Sequence, residues 1–320
     1  MGVLVEADRL RKTFGSITAV EEISLKVNQG EVLGFLGPNG AGKSTTMKML
    51  TGFLEPDSGA ARICGIDVAE RPKAAKSCIG YLPEGAPAYG DMTAREFLNF
   101  IAEIRGYTGD NRGTRVHAAT MRTGLEEVLD QKIDTLSKGF KRRVGLAQAI
   151  LHDLPVLIMD EPTDGLDPNQ KQLVRKLITE MAKDKAIIVS THILEEVEAV
   201  CTRAIVIDRG RIVADGTADD LLKRLPEHNS VALRVDAARA DTITTALAGV
   251  ANVAKVDRKP AMDGQIVLRA IPKPGAAIAA DVATMLNQKS LAVYEMYVDR
   301  GKLDDVFRQI TSQEGGSRNA

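Results

Sequence analysis

The sequence predicts an α/β protein whose parallel sheet is covered by helices, followed by a smaller α+β domain. Three observations predict this fold class. Short apolar runs at 156–159, 186–190 and 204–207 are separated by helical segments, which is the order of a parallel sheet. A glycine-rich loop joins another apolar strand to a helix. A different order of strands and helices, beginning near residue 230, indicates the second domain.

The first strand, loop and helix stand near the N-terminus. Residues 31–36 are almost wholly apolar, as in a strand that is buried on both faces. The glycine-rich loop follows at once, and residues 43–50 have helical composition. Gly52 and Pro56 come directly afterwards and predict the end of that helix. This order places the loop at the carboxyl edge of the sheet, where ligands bind.

The length of 320 residues suggests about two domains. We predict a first domain over 1–225, with a helical subdomain inserted at about 87–150, where strand signals disappear. A change of hydrophobic pattern around Leu225-Pro226 predicts the end of this domain. Residues 226–312 follow a β-α-β-β-α-β-α order of the ferredoxin-like kind. The tail 313–320 is predicted to be disordered.

Composition and charge exclude several classes of function. The 42 basic and 43 acidic side chains nearly cancel, so no overall positive field attracts nucleic acid. The three cysteines have neither disulfide-framework nor zinc-site spacing, which fits a reducing cytoplasm. Glu6 and Asp8 interrupt the apolar run that a signal peptide needs. No apolar run reaches the roughly 20 residues that span a bilayer.

The glycine-rich loop fits the phosphate-binding pattern G-x-x-x-x-G-K-[ST] between a strand and a helix. Its residues are Gly37, Pro38, Asn39, Gly40, Ala41, Gly42, Lys43 and Ser44. Backbone N–H groups of such a loop converge on phosphate oxygens, and the helix N-terminus adds its dipole. Lys43 is predicted to reach the β and γ phosphates of ATP, Ser44 to bind Mg²⁺, and Thr45 to contact the α-phosphate. The alternative is a glycine-rich turn with a solvated lysine, but such a turn would not need every residue of the pattern.

Two carboxylates end the apolar strand at 156–159. Asp160 and Glu161 follow it directly, so both are expected at the carboxyl edge of the sheet beside the phosphate loop. Asp160 is predicted to hold Mg²⁺. Glu161 is predicted to act as the general base on the attacking water, because phosphoryl transfer needs a positioned water and neutralised oxygens. Taken alone, such a pair is usually only a helix cap.

A third segment carries a family resemblance. Leu136, Ser137 and Gly139 match the LSGGQ signature of the ATP-binding-cassette (ABC) family, whereas Lys138 and Phe140 depart from it. The departures resemble ABC-2 type exporter ATPases, including the gliding-motility type. The resemblance implies that Ser137 and Gly139 contact the γ-phosphate bound by an opposite subunit. The alternative is that Ser137 only caps a helix.

Other positions follow the order of the family. His192 ends a strand where the family has its switch histidine, and Phe14 stands where an aromatic ring stacks on adenine. Taken alone, each would be read as a structural residue. Glu84 occupies the place of the glutamine that contacts the metal, so the resemblance implies a Mg²⁺ ligand of altered charge. The alternative is an exposed loop glutamate.

The resemblance implies an ABC ATPase core of the P-loop type with the ferredoxin-like extension of many ABC-2 export ATPases. It also implies a head-to-tail homodimer that sandwiches ATP and works with an integral membrane permease subunit on the cytoplasmic face of the membrane. The alternative is a soluble ABC ATPase of translation or DNA repair. Such proteins usually carry two cassettes or a long coiled-coil insertion, and neither is present here; nucleic acid is not expected as a partner.

Overall fold

The structure is a computed structural model that describes residues 2–262 and 264–313. The chain divides into two compact units, the first ending at Thr217 and the second beginning at Ala218. Whether the first unit folds alone, as the domain prediction implies, stays a prediction. The predicted tail lies outside the described residues except for Gln313, at which the last helix ends.

In its described residues, the first unit has ten strands and seven α-helices. The strands are β1 (Val3–Phe14), β2 (Ile17–Asn28), β3 (Val32–Leu36), β4 (Ser58–Ile63), β5 (Ile66–Asp67), β6 (Ile79–Leu82), β7 (Val156–Asp160), β8 (Ala186–Thr191), β9 (Arg203–Asp208) and β10 (Arg211–Gly216). The helices are α1 (Lys43–Leu50), α2 (Pro72–Lys76), α3 (Ala94–Ile104), α4 (Gly109–Thr123), α5 (Lys138–Ile150), α6 (Pro168–Met181) and α7 (Leu194–Val200).

Two sheets form this unit. A six-stranded sheet has the order β10-β9-β3-β8-β7-β6, in which only β10 runs antiparallel to its neighbour. A four-stranded antiparallel sheet has the order β2-β1-β4-β5. Every residue of β3, β7 and β8 is buried, which explains their continuous apolar runs. The parallel α/β core is thus confirmed.

The position of the strands decides where the chemistry can occur. β8 lies between β3 and β7, and all three are parallel. Their carboxyl ends therefore meet at one edge of the sheet, with the glycine-rich loop after β3 and Asp160 at the end of β7. No described helix combines the length and the apolar character that a membrane span requires.

The inserted helices α3, α4 and α5 pack against one another and against the sheet. The start of α3 carries a complete capping box, in which Thr93 accepts from the Glu96 N–H and Glu96 accepts from the Thr93 N–H. Helix α5 begins at the N-cap Ser137, whose hydroxyl accepts from the Phe140 N–H at 3.3 Å. The N-terminus of α5 is thereby fixed by its own sequence.

The second unit is a separate α+β fold. Its elements are α8 (Ala218–Leu222), β11 (Ser230–Asp236), α9 (Ala240–Ala248), β12 (Val253–Pro260), β13 (Gln265–Pro272), α10 (Ala279–Gln288), β14 (Glu295–Asp299) and α11 (Leu303–Gln313). The four strands pair antiparallel in the order β12-β13-β11-β14. This order, with the first and third strands central, is the predicted ferredoxin-like arrangement.

Candidate functional site

The glycine-rich loop needs glycine for steric reasons. Gly42 has φ 106°, a conformation that side chains disfavour, and a Cβ there would lie 2.4 Å from the Ala19 carbonyl oxygen. The loop then passes directly into α1, whose first N–H groups have no partner within the helix. These groups and the dipole of α1 therefore face an anion site.

Lys43 lies at the start of α1 and is buried. Its Nζ donates to the carbonyl oxygens of Gly37 at 2.6 Å and Pro38 at 3.0 Å. Burial lowers the pKa of Lys43, and the nearby charges of Glu161, Asp160 and Glu84 oppose this shift. The ammonium group therefore stands in the field of all three predicted acidic residues.

A cleft of about 240 Å³ joins the loop to these carboxylates, and we call it the phosphate cleft. Its walls are Ala19, Asn39, Gly40, Gly42, Lys43, Ser44, Thr45, Glu84, Asp160 and Glu161. Gly37, Pro38 and Ala41 belong to the loop but do not line the cleft. The structure thus brings most of the predicted phosphate- and metal-binding residues together in one place.

Asp160 is suited to hold a cation. It is 1% exposed, and its Oδ1 accepts a hydrogen bond from the Ser190 hydroxyl. Its Oδ2 is buried and has no hydrogen-bond partner among the described residues. A buried carboxylate oxygen without a partner is costly unless a ligand completes it, and oxygen donors are what Mg²⁺ prefers.

The described residues hold no cluster of three or more His, Cys, Asp or Glu side chains suited to a metal. A Mg²⁺ that is shared with phosphates needs only one or two carboxylates.

Glu161 has a distinct geometry. Its φ of 51° lies in the left-handed region, and its N–H donates to the Ser190 carbonyl at 3.1 Å. Its Oε1 lies 2.9 Å from Nδ1 of His192, whereas its Oε2 is buried without a partner among the described residues. The predicted base and the predicted histidine therefore contact each other, and one carboxylate oxygen is left for another proton donor.

Besides Ala19 of the cleft wall, sequence reasoning missed two polar residues of this site. Ser190, which is fully buried, contacts both Asp160 and Glu161. Arg142 in α5 donates to main-chain carbonyls at the end of β7. Arg142 stands in a run of three basic residues that resembles a solvated helix face. Apolar residues surround that run on nearly every side of α5, which was a signal that its charges are buried.

Residues 136–140, which we call the Ser137 segment, lie elsewhere on the same unit. Ser137 is exposed and does not line the phosphate cleft. A Cβ at Gly139 would lie 2.7 Å from Oε1 of Gln170, so this position packs closely against α6. Lys138 forms a 2.9 Å ion pair with Asp164. The structure does not bring Ser137 or Gly139 to the cleft of their own chain.

Phe14 ends β1, at the turn that leads into β2, and is 49% exposed. The Nζ of Lys12 lies 5.9 Å from the centre of its ring. The ring does not line the phosphate cleft, but Ala19 of the same hairpin does. An exposed ring at this place is free to stack on a flat ligand, and its role stays a prediction.

A glycine-rich loop at a helix N-terminus, with its lysine facing carboxylates at the end of another strand of the same parallel sheet, defines a P-loop nucleoside triphosphatase. A family model described as ABC transporter matches residues 20–164. The chain belongs to the ABC transporter family, as one of its ATP-hydrolysing, ATP-binding proteins.

Known proteins resemble about two thirds of the chain. The Nod factor export ATP-binding protein I of Paraburkholderia xenovorans (strain LB400) is 39% identical over 219 residues, which are 68% of this chain and 72% of that protein. A solved structure of the ATP binding subunit of an ABC transporter is 32% identical, with a TM-score of 0.65, over 69% of this chain and 92% of that one. A dimeric ATP-binding cassette, MJ0796, bound to ADP and Pi, is 25% identical with a TM-score of 0.61, over 67% of this chain and 98% of that one.

Proposed function

We propose that the chain hydrolyses Mg·ATP as a head-to-tail homodimer at the cytoplasmic face of a membrane and powers export through a separate permease subunit. One observation carries the proposal. The phosphate cleft places the loop residues Lys43, Ser44 and Thr45 opposite Asp160 and Glu161. The relative from Paraburkholderia is named as an export protein, which favours export over a role in translation or DNA repair.

The residues of the cleft have separate tasks in this proposal. N–H groups of the loop residues Asn39, Gly40 and Gly42 bind phosphate oxygens, and Lys43 neutralises the terminal phosphates. Ser44, Asp160 and Glu84 hold Mg²⁺, which supplies neutralising charge to the phosphates when bound.

The remaining step is a proton transfer. Glu161 takes a proton from the attacking water through its carboxylate. The Nδ1–H of His192 donates to Oε1 of Glu161 and thereby orients that carboxylate. Phe14 is proposed to stack on the adenine ring.

The second half of the site comes from another copy of the chain. Ser137 and Gly139 lie outside their own phosphate cleft, at the N-terminus of α5, where N–H groups and a hydroxyl favour an anion. Head-to-tail pairing would bring them to the γ-phosphate that the partner binds. The cassette MJ0796 is dimeric with ADP and Pi bound, which supports this arrangement.

A groove on the first unit is our candidate site for the permease. We call it the partner groove; it has a volume of about 370 Å³ and is lined by Lys48, Phe53, Tyr81, Pro83, Pro87, Ile101, Ile104, Arg105, Gln148, Ala149 and His152. Phe53 and Ile104 are 75% and 65% exposed, so much apolar surface is open to solvent. The groove continues to Pro83, next to Glu84 of the phosphate cleft. Occupancy of the groove could therefore affect the site.

The ATPase part of the proposal is tested by phosphate release from ATP with the full chain, in Mg²⁺ and in EDTA. Glu84→Gln is measured beside it as a function of Mg²⁺ concentration. Because Glu84 adds a negative charge to the cation site, the variant should need more Mg²⁺ for half-maximal turnover. An unchanged Mg²⁺ curve removes Glu84 from the metal site, and no Mg²⁺-dependent phosphate release from the wild type refutes the proposal.

The permease part is tested with Ile104→Asp, because a charge on an exposed apolar wall should weaken docking without touching the phosphate cleft. The variant should hydrolyse ATP like the wild type when isolated and should co-purify poorly with its permease. Val3→Asp is the matched control, since Val3 is exposed but lies outside the groove. Equal recovery of both variants with the permease would refute the groove as the docking site.

A further inference from the structure

Arg142 is a buried cation that none of the roles above requires. It lies near the start of α5, and 5% of it is exposed. Its Nε donates to the Glu161 carbonyl at 3.0 Å, and its Nη2 donates to the carbonyls of Asp160 and Glu161. Its Nη1 donates to the Pro83 carbonyl at 3.2 Å. One side chain thus ties α5 to the end of β7 and to the residue before Glu84.

We propose that Arg142 is a positioning residue for ATP hydrolysis, which holds the main chain of Glu161 so that its carboxylate stands at the phosphate cleft. The inference rests on the proposed role of Glu161 as base. In this proposal, the helix that follows Ser137 is connected directly to the base of the same chain.

The backbone of Glu161 requires such a restraint. With φ at 51°, this residue is in a conformation that non-glycine residues adopt only when the surroundings enforce it. Its N–H is held by Ser190, at 3.1 Å to the carbonyl and 3.2 Å to the hydroxyl. Its carbonyl accepts from Arg142 on the other side, and also from the Asp164 N–H at 3.1 Å. Removal of the guanidinium would leave the contact with Asp164, three residues along the same loop, and would let the peptide turn and move the carboxylate.

The geometry favours arginine over any other cation. The contacts use Nε, Nη1 and Nη2 on three carbonyl groups, which only the planar fork of a guanidinium can reach at once. Burial lowers the pKa of Arg142, and the charges of Asp164, Asp160, Glu161 and Glu84 oppose this shift. Nearby carboxylates therefore stabilise the Arg142 cation, although its hydrogen bonds all go to main-chain oxygens.

The neighbouring residue provides a matched control. Arg143 lies on the same helix and is 7% exposed, close to the 5% of Arg142. It donates to the carbonyls of Thr123 at 3.3 Å and Gly124 at 2.6 Å, and its guanidinium stacks 4.1 Å from the Phe140 ring centre. Arg143 therefore has the same chemistry as Arg142, but its hydrogen bonds lie at the end of α4 and its ring contact is with Phe140, so neither is made with the residues of the phosphate cleft.

The experiment is a double-mutant cycle in the full chain. Arg142→Lys and Arg143→Lys are each measured alone and combined with Glu161→Gln, for kcat, for the KM of ATP and for ATP-induced thermal stabilisation. We expect Arg142→Lys to lower kcat by roughly 10- to 100-fold, because a displacement of about 1 Å has that effect on catalysis. ATP binding should change little, and Arg143→Lys should keep the wild-type kcat.

The combination with Glu161→Gln separates positioning from general damage. If Arg142 acts through Glu161, Arg142→Lys should change the single-turnover rate of Glu161→Gln by less than about twofold. Multiplied effects, or equal kcat losses in both lysine variants, would overturn the proposal. A Glu161→Gln chain with wild-type turnover would instead refute the base itself.

If Arg142→Lys does not fold, Arg142→Gln replaces it in the cycle, because an amide can still donate to one carbonyl. If neither variant folds while Arg143→Lys does, Arg142 serves the fold and the positioning role is wrong.

Discussion

The phosphate cleft and the Ser137 segment belong to the same unit, yet they differ in burial and in what fixes them. Lys43 and Asp160 of the cleft are buried and hydrogen-bonded within the unit, and so is Ser190, which contacts Asp160. In the Ser137 segment, Ser137 and Lys138 are exposed, and their contacts are a helix cap and a surface ion pair. One region is assembled by the core of its own chain, and the other is only presented at a surface.

This difference indicates which part of the site one copy of the chain can form without a second copy. A cleft in which Asp160 and Glu161 each keep one buried carboxylate oxygen without a partner among the described residues is organised before any ligand arrives, which is what electrostatic catalysis requires. Ser137 does not line the phosphate cleft of its own chain, so the proposed phosphate partner of the α5 N-terminus would come from another copy. Changes in the cleft should therefore affect chemistry and binding in each copy, whereas changes in the Ser137 segment should act through dimerisation.

Glu161→Gln should have the largest effect, because it removes the proton acceptor and keeps the shape. Turnover should fall by about 10²–10⁴-fold while ATP still binds. The wild-type chain consumes its ATP, whereas the mutant should retain it. The mutant should therefore accumulate as an ATP-bound dimer. Light scattering with and without Mg·ATP, beside a phosphate-release assay, measures both effects. A fully active mutant would exclude Glu161 as the base.

Lys43→Ala should come next and should act on binding as well as on turnover. The ammonium group contributes charge-assisted hydrogen bonds of about 1.5–3 kcal/mol, or about 10- to 150-fold in affinity. Thermal stabilisation by ATP should largely disappear, and ATPase activity should nearly vanish with it. The control is Lys73→Ala, a change of an exposed lysine in α2. Equal ATP binding by both variants would contradict the assignment of the loop.

The sequence predicted the cleft well because its parts are local. The glycine-rich loop and the two carboxylates at the end of β7 are each encoded within a few adjacent residues, so their placement follows from the strand or helix beside them; the same holds for the cap Ser137 outside the cleft. Strand β1 was not predicted, since charged residues such as Asp8, Arg9 and Arg11 interrupt its pattern and its pairing has several bulges. Arg142 and Ser190 act through contacts between distant segments, which no local pattern specifies.

Ser137→Ala should have a smaller effect that distinguishes capping from catalysis. Loss of the cap should lower the free energy of unfolding by about 1 kcal/mol. If the hydroxyl also contacts the partner's phosphate, turnover should fall about tenfold, the value of one hydrogen bond to a charged group. Thr93→Ala is the matched control, because Thr93 caps α3 away from the site. Equal turnover in the two variants would mean that Ser137 is only a cap.

The smallest effect is expected from the ion pair between Lys138 and Asp164, which joins the Ser137 segment to the loop after Glu161. The Lys138 hydrogen bond holds the pKa of Asp164 below its usual value, opposed by partial burial. A carboxyl group with a lowered pKa stabilises the folded state at pH values above its usual pKa. This stabilisation is lost as the pH falls through the pKa of the group in the folded state. The pair should therefore be intact at neutral pH and lost in acid.

Both side chains of this pair are largely exposed, at 71% and 49%, so solvent and salt screen the attraction. A double-mutant cycle of Lys138→Met and Asp164→Asn, measured by urea unfolding at neutral pH, should give a coupling of about 0.2–1 kcal/mol. The coupling should decrease in high salt and below the pKa of Asp164. A coupling well above this range would mean that the Ser137 segment is fixed in its own chain, as the phosphate cleft is. The contrast between the two regions would then be wrong.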